Sequence, residues 1–164
     1  MGQDESFGQL ANRLKGITID TIINNAGTMG PAAKRQSVLD MDFNGWADTF
    51  NINAMGPVRV MQALLPNLKM TGSPKVITVT SQMGALSLDM TSAHAYCSSK
   101  AALNKIMRLA SIDLNPEGIA VGLVHPGWVR TDMGGPRAHL SPEDSAAGCI
   151  EAVSYTHLTL PTSD

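Results

Sequence analysis

The sequence predicts an α/β fold, a parallel sheet covered by helices on both faces, and three observations carry that reading. Compact apolar runs rich in β-branched residues recur along the chain: ITIDTIIN at 17–24, KVITVT at 75–80 and IAVGLV at 119–124. Longer stretches with apolar residues at helical spacing alternate with them. The runs are too short to be membrane segments, and such alternation is the pattern of a parallel sheet wrapped by crossover helices.

Taken in order, the chain opens on a helix, with Phe7, Leu10, Ala11 and Leu14 on one face, Asp4 or Ser6 as N-cap and Gly16 as the stop. Strand 17–24 then runs straight into Asn25, Ala26 and Gly27. Residues 44–69 read as a helix with Ala54, Val58, Met61, Leu64, Leu65 and Leu68 on its apolar face. Pro57, which has no N–H, should bend it near Asn53. Strand 75–80, bounded by Gly72, Ser73 and Pro74, delivers Ser81 at its carboxyl end. Past a loop through Gly84 and Thr91 comes a helix carrying Tyr96 and Lys100, with Leu103, Met107, Ala110 and Leu114 buried, ending before Pro116 and Gly118. Strand 119–124 leads into the turn His125, Pro126, Gly127, and a last helix begins after Ser141, its N-cap, and Pro142. From residue 153 the segment VSYTHLTLPTSD breaks the helical pattern and reads as a non-native tail. The domain is therefore assigned to 1–152, with 153–164 apart.

Composition narrows the function classes. With 164 residues, 43% hydrophobic and 16% charged, the chain can bury a core. Twelve basic against fourteen acidic residues give a net charge of −2, with no basic stripe for nucleic acid. Cys97 and Cys149 suggest neither a disulfide framework nor a paired-cysteine zinc site, which fits a reducing, cytoplasmic setting. No apolar run reaches the roughly 20 residues that span a bilayer, so no membrane association is expected.

In sheets of this kind ligands sit outside the carboxyl ends of the strands. Asn25 to Gly27, Ser81 and the stretch 126–131 all follow strands and should line one edge, within reach of Tyr96 and Lys100. Four positions apart on a helix, that pair shares a face. An ammonium beside a phenol favours the phenolate, pulling down a pKa that starts near about 10 and suiting Tyr96 to acid/base work. Alone, the Tyr-x-x-x-Lys spacing is equally a solvated helix turn. Asn25 and Gly27 read also as a turn, Ser81 as a cap, Asn53 as a surface residue, and Pro126 with Gly127 as loop punctuation. A Ser81–His125 hydrolase arrangement lacks the G-x-S-x-G elbow, and neither a P-loop nor H-E-x-x-H occurs. His94 and His125 have no ligand-spaced partners, so no metal is assigned.

Together, Asn24-Asn25-Ala26-Gly27, Asn53 in NINAMGP, Ser81 in TSQMG and Tyr96 with Lys100 resemble, in order, the motif set of the short-chain dehydrogenase/reductase family. The run HPGWVRTDMGGP at 125–136 further resembles its carbonyl-reductase-like, C-factor- and sniffer-like subgroup. The likeness covers roughly residues 5–152 and implies a three-layer Rossmann-like parallel sheet. It implies Tyr96 as the proton donor and acceptor, Ser81 holding the same substrate oxygen, Lys100 gripping the nicotinamide ribose and tuning Tyr96, and Asn53 placing a proton-relaying water. Asn25, Ala26 and Gly27 would face the adenosine-side ribose, and Pro126, Gly127, Val129 and Thr131 would flank the nicotinamide and pyrophosphate. The implied reaction is NAD- or NADP-dependent interconversion of a small carbonyl compound and its alcohol, the subgroup favouring NADP.

The family's glycine-rich turn, TGxxxGxG in form, does not occur in this chain. By that comparison the sheet is incomplete, lacking the first three strands and the last, with the chain starting at an internal methionine or a truncated frame just before the fourth strand. Poor folding alone is the expectation, and NAD versus NADP would be decided by residues outside the chain. The alternative is a catalytically inactive interaction module, since the family's counterparts of the 44–69 and 96–115 helices build a homo-oligomeric interface.

Overall fold

A computed structural model of the chain describes residues 2–89 and 92–155. Three parallel strands form the sheet in the order β1-β4-β5, from β1 (Thr21–Asn24), β4 (Lys75–Val79) and β5 (Ala120–Val124). Thr21 pairs with Lys75 and Lys75 with Ala120, so the strands start level, and β1 ends one residue before the other two. A small antiparallel pair, β2 (Gln36–Ser37) and β3 (Asp40–Met41), lies between β1 and the next helix. Nothing in the apolar pattern announces it.

On one face Ile22, Val76 and Val121 pack with Met61, Leu64 and Leu68 of α3 (Gly56–Leu68) and Leu103 and Met107 of α4 (His94–Leu114). Leu10 and Leu14 of the opening helix region join this core, α1 (Gly2–Arg13) lying against α3. Opposite, α5 (Pro142–Tyr155) packs on β5, whereas Ile23 of β1 stays 64% exposed. The layered parallel sheet is as the sequence predicts.

Several boundaries move, each for a local reason. Residues 17–20 are not strand: Asn67 of α3 donates to the Leu14 and Ile17 carbonyls at 2.6 and 2.7 Å, holding them as a loop. Pairing begins only where Lys75 N–H meets the Asp20 carbonyl at 2.9 Å. Asp4 and Ser6 fall inside α1, while Gly16, at φ +78°, turns the chain after it as expected. The 44–69 helix divides into α2 (Phe43–Phe50), a π-helical segment Asn51–Met55, and α3. The bend expected near Asn53 is this widened turn. Ser141 caps α5, its Oγ accepting from Asp144 N–H at 3.0 Å. That helix continues through Val153, Ser154 and Tyr155, and the remainder of the tail lies outside the described residues.

Candidate active site

β1 ends in buried Asn24, whose Nδ2 donates to Thr78 Oγ1 of β4 at 3.1 Å, and the chain then emerges through exposed Asn25, Ala26 and Gly27. Asn53 holds the next residue. Its Oδ1 accepts from Thr28 N–H and its Nδ2 donates to the Thr28 carbonyl, both at 2.8 Å. The same Nδ2 also donates to Ser99 Oγ at 3.0 Å. Asn53 is wholly buried, so its reading as a surface residue falls: the π segment turns it into the protein. A Cβ on Gly27 would lie 3.5 Å from Asn53 Oδ1 and 3.7 Å from Lys100 Nζ, which places this exposed glycine directly over the lysine.

Ser81 follows β4 and caps a 3₁₀ turn, Gln82–Gly84, its Oγ accepting from Met83 N–H at 3.1 Å. That turn presses on α4: a Cβ at Gly84 would come within 2.7 Å of the Lys100 carbonyl carbon and 2.9 Å of Ala101 N. The Ser81 hydroxyl lies near enough to the Tyr96 phenol to draw its pKa down. Thus the strand end and the first turn of α4 converge on one oxygen.

Tyr96 and Lys100 are both buried and share the inner face of α4, with Nζ 5.8 Å from the ring centroid. Lys100 Nζ donates to the Val79 carbonyl at 2.9 Å. Burial raises the Tyr96 pKa above its usual value; the Ser81 hydrogen bond pulls the other way, and the nearby Cys97 adds a small upward push. Burial lowers that of Lys100. The expected downward pull of Lys100 on Tyr96 is therefore overturned for the protein without a ligand. The ammonium points at a backbone carbonyl, and desolvation of the phenolate outweighs what remains. Tyr96 accordingly rests as a neutral phenol, the form that donates a proton.

The third loop is organised by its own bonds. Gly127, at φ +80°, follows Pro126, and a Cβ there would lie 2.4 Å from Leu140 Cδ1. Val129 bridges to Leu140, and Arg130 N–H and Leu140 N–H exchange bonds with the Leu140 and Trp128 carbonyls at 2.9 and 3.0 Å. Thr131 is exposed, its Oγ1 accepting from Gly134 N–H at 3.1 Å. Asn25 and Ala26 line a cavity of about 420 Å³ between β1, the π segment and α3. Ser81, Tyr96 and Lys100 are not in its wall.

Sequence reasoning missed two residues here. Ser99, wholly buried, donates to the Tyr96 carbonyl at 2.7 Å while accepting from Asn53. Its signal was a polar residue on the same face as Tyr96, Leu103 and Met107. Gly84 was read only as loop, and its close approach to the α4 backbone at Lys100 and Ala101, sixteen and seventeen residues on, left no local signal.

Residues 3–140 match the family described as short chain dehydrogenase. The C-signal of Myxococcus xanthus is 46% identical over 136 residues, covering 82% of this chain and 80% of that protein. The carbonyl reductase Sniffer of D. melanogaster superposes with a TM-score of 0.85 at 27% identity, over 94% of this chain and 67% of that one. A short-chain dehydrogenase/reductase from Burkholderia multivorans with bound NADP gives 0.83 at 31%, over 93% and 65%. The chain thus spans about two thirds of these solved structures. The subgroup likeness of residues 125–136 agrees with these relatives. On the strength of the match over residues 3–140, the chain belongs to the short-chain dehydrogenase family.

Proposed function

We propose that the chain carries the catalytic half of an NADP- or NAD-dependent oxidoreductase that interconverts a carbonyl compound and an alcohol. The observation that carries the reading is the convergence of Ser81 and the buried Tyr96 phenol on one point, with Lys100 beneath and exposed Gly27 above it. The fit to a nicotinamide cofactor rests on the same glycine. Without a Cβ at Gly27, a ribose can approach the Lys100 ammonium, and solved relatives carry NADP. A bound nicotinamide supplies the hydride to the carbonyl carbon, or accepts it in reverse.

The chain's residues then do the rest. Ser81 and Tyr96 hold the carbonyl oxygen, polarising it for attack, and the Tyr96 hydroxyl gives its proton to that oxygen as negative charge develops. Lys100, released from the Val79 carbonyl toward the ribose, stabilises the phenolate left behind. Asn53 fixes the Thr28 backbone, and its own carbonyl belongs to the π-helical segment, outside the regular four-residue pattern of hydrogen bonds. We assign that carbonyl to the relay water. Asn25, Ala26 and Gly27 serve the adenosine-side ribose, with Pro126, Gly127, Val129 and Thr131 beside the nicotinamide and pyrophosphate.

The test is carbonyl reduction with NADPH across a panel of small aldehydes and ketones. Tyr96→Phe should lower kcat at least about 100-fold with NADPH binding retained; a Tyr96→Phe protein of normal rate would sink the assignment. A second reading, an interaction module without turnover, draws on the relative called C-signal, of whose length the alignment covers 80%. Titrating the chain with NADPH and following nucleotide fluorescence separates the two: saturable binding counts against the module.

A further inference from the structure

We propose that Gln36 is a positioning residue that locks the loop after β1 to the first turn of α4, so that a cofactor seated on that loop sets the place of Tyr96. The proposal rests on the oxidoreductase reading for its second half and on geometry alone for its first. α4 begins without a cap of its own. Its N-cap position is Ala93, which sits at φ 60° in the left-handed region and has no side chain able to accept a hydrogen bond. The N–H groups of a helix's first turn have no partner within the helix and need one from elsewhere.

Gln36 supplies it from 59 residues away: its Oε1 accepts from Ala95 N–H at 3.1 Å, the position an N-cap side chain normally serves. Ala95 is the residue before Tyr96. The other end of the same amide points at the loop after β1, Nε2 donating to the Met29 carbonyl at 3.0 Å and the Pro31 carbonyl at 2.6 Å. Gln36 is 2% exposed, so these bonds face no competition from bulk water. Its place in β2 explains why the small hairpin exists where no apolar pattern predicts one: the hairpin holds this amide between two parts of the site. A parallel strut runs from Thr28 through Asn53 and Ser99 to the Tyr96 carbonyl. Between them the two struts hold Thr28, Met29 and Pro31 on one side and Ala95 and Tyr96 on the other. A shift of the loop is therefore passed to the backbone that carries the phenol.

Residue-resolved amide hydrogen exchange of the full chain tests this with Gln36→Met and Gln36→Glu. Met keeps the length with neither donor nor acceptor; Glu keeps the acceptor for Ala95 and loses both donors. Gln36→Met should exchange about tenfold faster at Ala95, Tyr96 and Cys97 with β4 and β5 unchanged. Gln36→Glu should keep the natural rates at that turn and speed exchange at Met29 and Gly30. Unchanged first-turn exchange in Gln36→Met overturns the proposal, as does uniform acceleration through β4 and β5. Should Gln36→Met not fold, acceleration at Ala95 to Cys97 in Gln36→Glu overturns it alone. Saturating NADPH should then slow first-turn exchange in the natural chain and not in Gln36→Met; equal slowing in both refutes the coupling. A natural chain that binds no NADPH refutes the cofactor half and the oxidoreductase reading for this chain, while the comparison without nucleotide still decides the cap.

Discussion

At the scale of single residues the site is governed by burial. Tyr96 and Lys100 are moved in opposite directions by the same cause, since desolvation penalises phenolate and ammonium alike. A group whose pKa is raised on folding stabilises the folded state below its unfolded value, and that contribution is lost as pH climbs through the folded one. For Tyr96 the loss begins above about pH 10. Denaturant unfolding between pH 8 and 11 should therefore show the natural chain losing stability relative to Tyr96→Phe only at the alkaline end. On the proposed chemistry, carbonyl reduction needs the phenol protonated and should fall only at the alkaline end of the same range. Lys100 behaves in the opposite sense, its lowered pKa making ammonium burial a cost at neutral pH. Lys100→Met should consequently melt within a few degrees of the natural chain while losing NADPH affinity, a pairing that calorimetry and fluorescence titration read separately.

At the scale of elements, the candidate site residues Ser81, Tyr96 and Lys100 are placed by close contacts between the loops and α4. Gly84 lets the Ser81 turn rest on the α4 backbone, where the nearest atoms to an added Cβ are main-chain atoms that cannot swing aside. Gly84→Ala should cost about 1–3 kcal/mol in urea unfolding and lower kcat more than it raises KM, because Ser81 is lifted off Tyr96. Asn67 does comparable work at the other end of the sheet, with its amide on two carbonyls. Asn67→Ala should cost about 1–3 kcal/mol by orphaning them, with kcat per folded molecule unchanged. The sheet's elements were legible because strands and helices write their periods into the apolar residues. Ser81, Tyr96 and Lys100 were legible because each sits at a strand end or a helix start in a recognisable order. Residues 17–20 misled because isoleucines promise a strand anywhere, while pairing starts only where a neighbour exists to accept it. The β2–β3 hairpin and Gln36 left no such trace, since a buried amide bonded to three backbone groups carries no period.

For the whole molecule, the described sheet has two outer strands, and their exposed apolar residues include Ile23 at 64% and Leu123 at 38%. Edges of this kind recruit other strands. The chain should associate as its concentration rises, and Ile23→Lys should reduce that association in sedimentation velocity without altering the melting midpoint by more than a few degrees. The motif order along the chain made the architecture readable at this scale, whereas the exposure of Ile23 depends on what covers β1 and has no signature in a β-branched run. The π-helical segment Asn51–Met55 carries a different kind of consequence. A widened turn is an α-helix with one residue too many, absorbed locally where the Gly56 N–H reaches back five residues to the Asn51 carbonyl. Loss of a single codon in that segment would remove the widened turn that seats Pro57 within the run and aims Asn53 at Thr28. The site thus depends on the number of residues in this helix as well as on their identity.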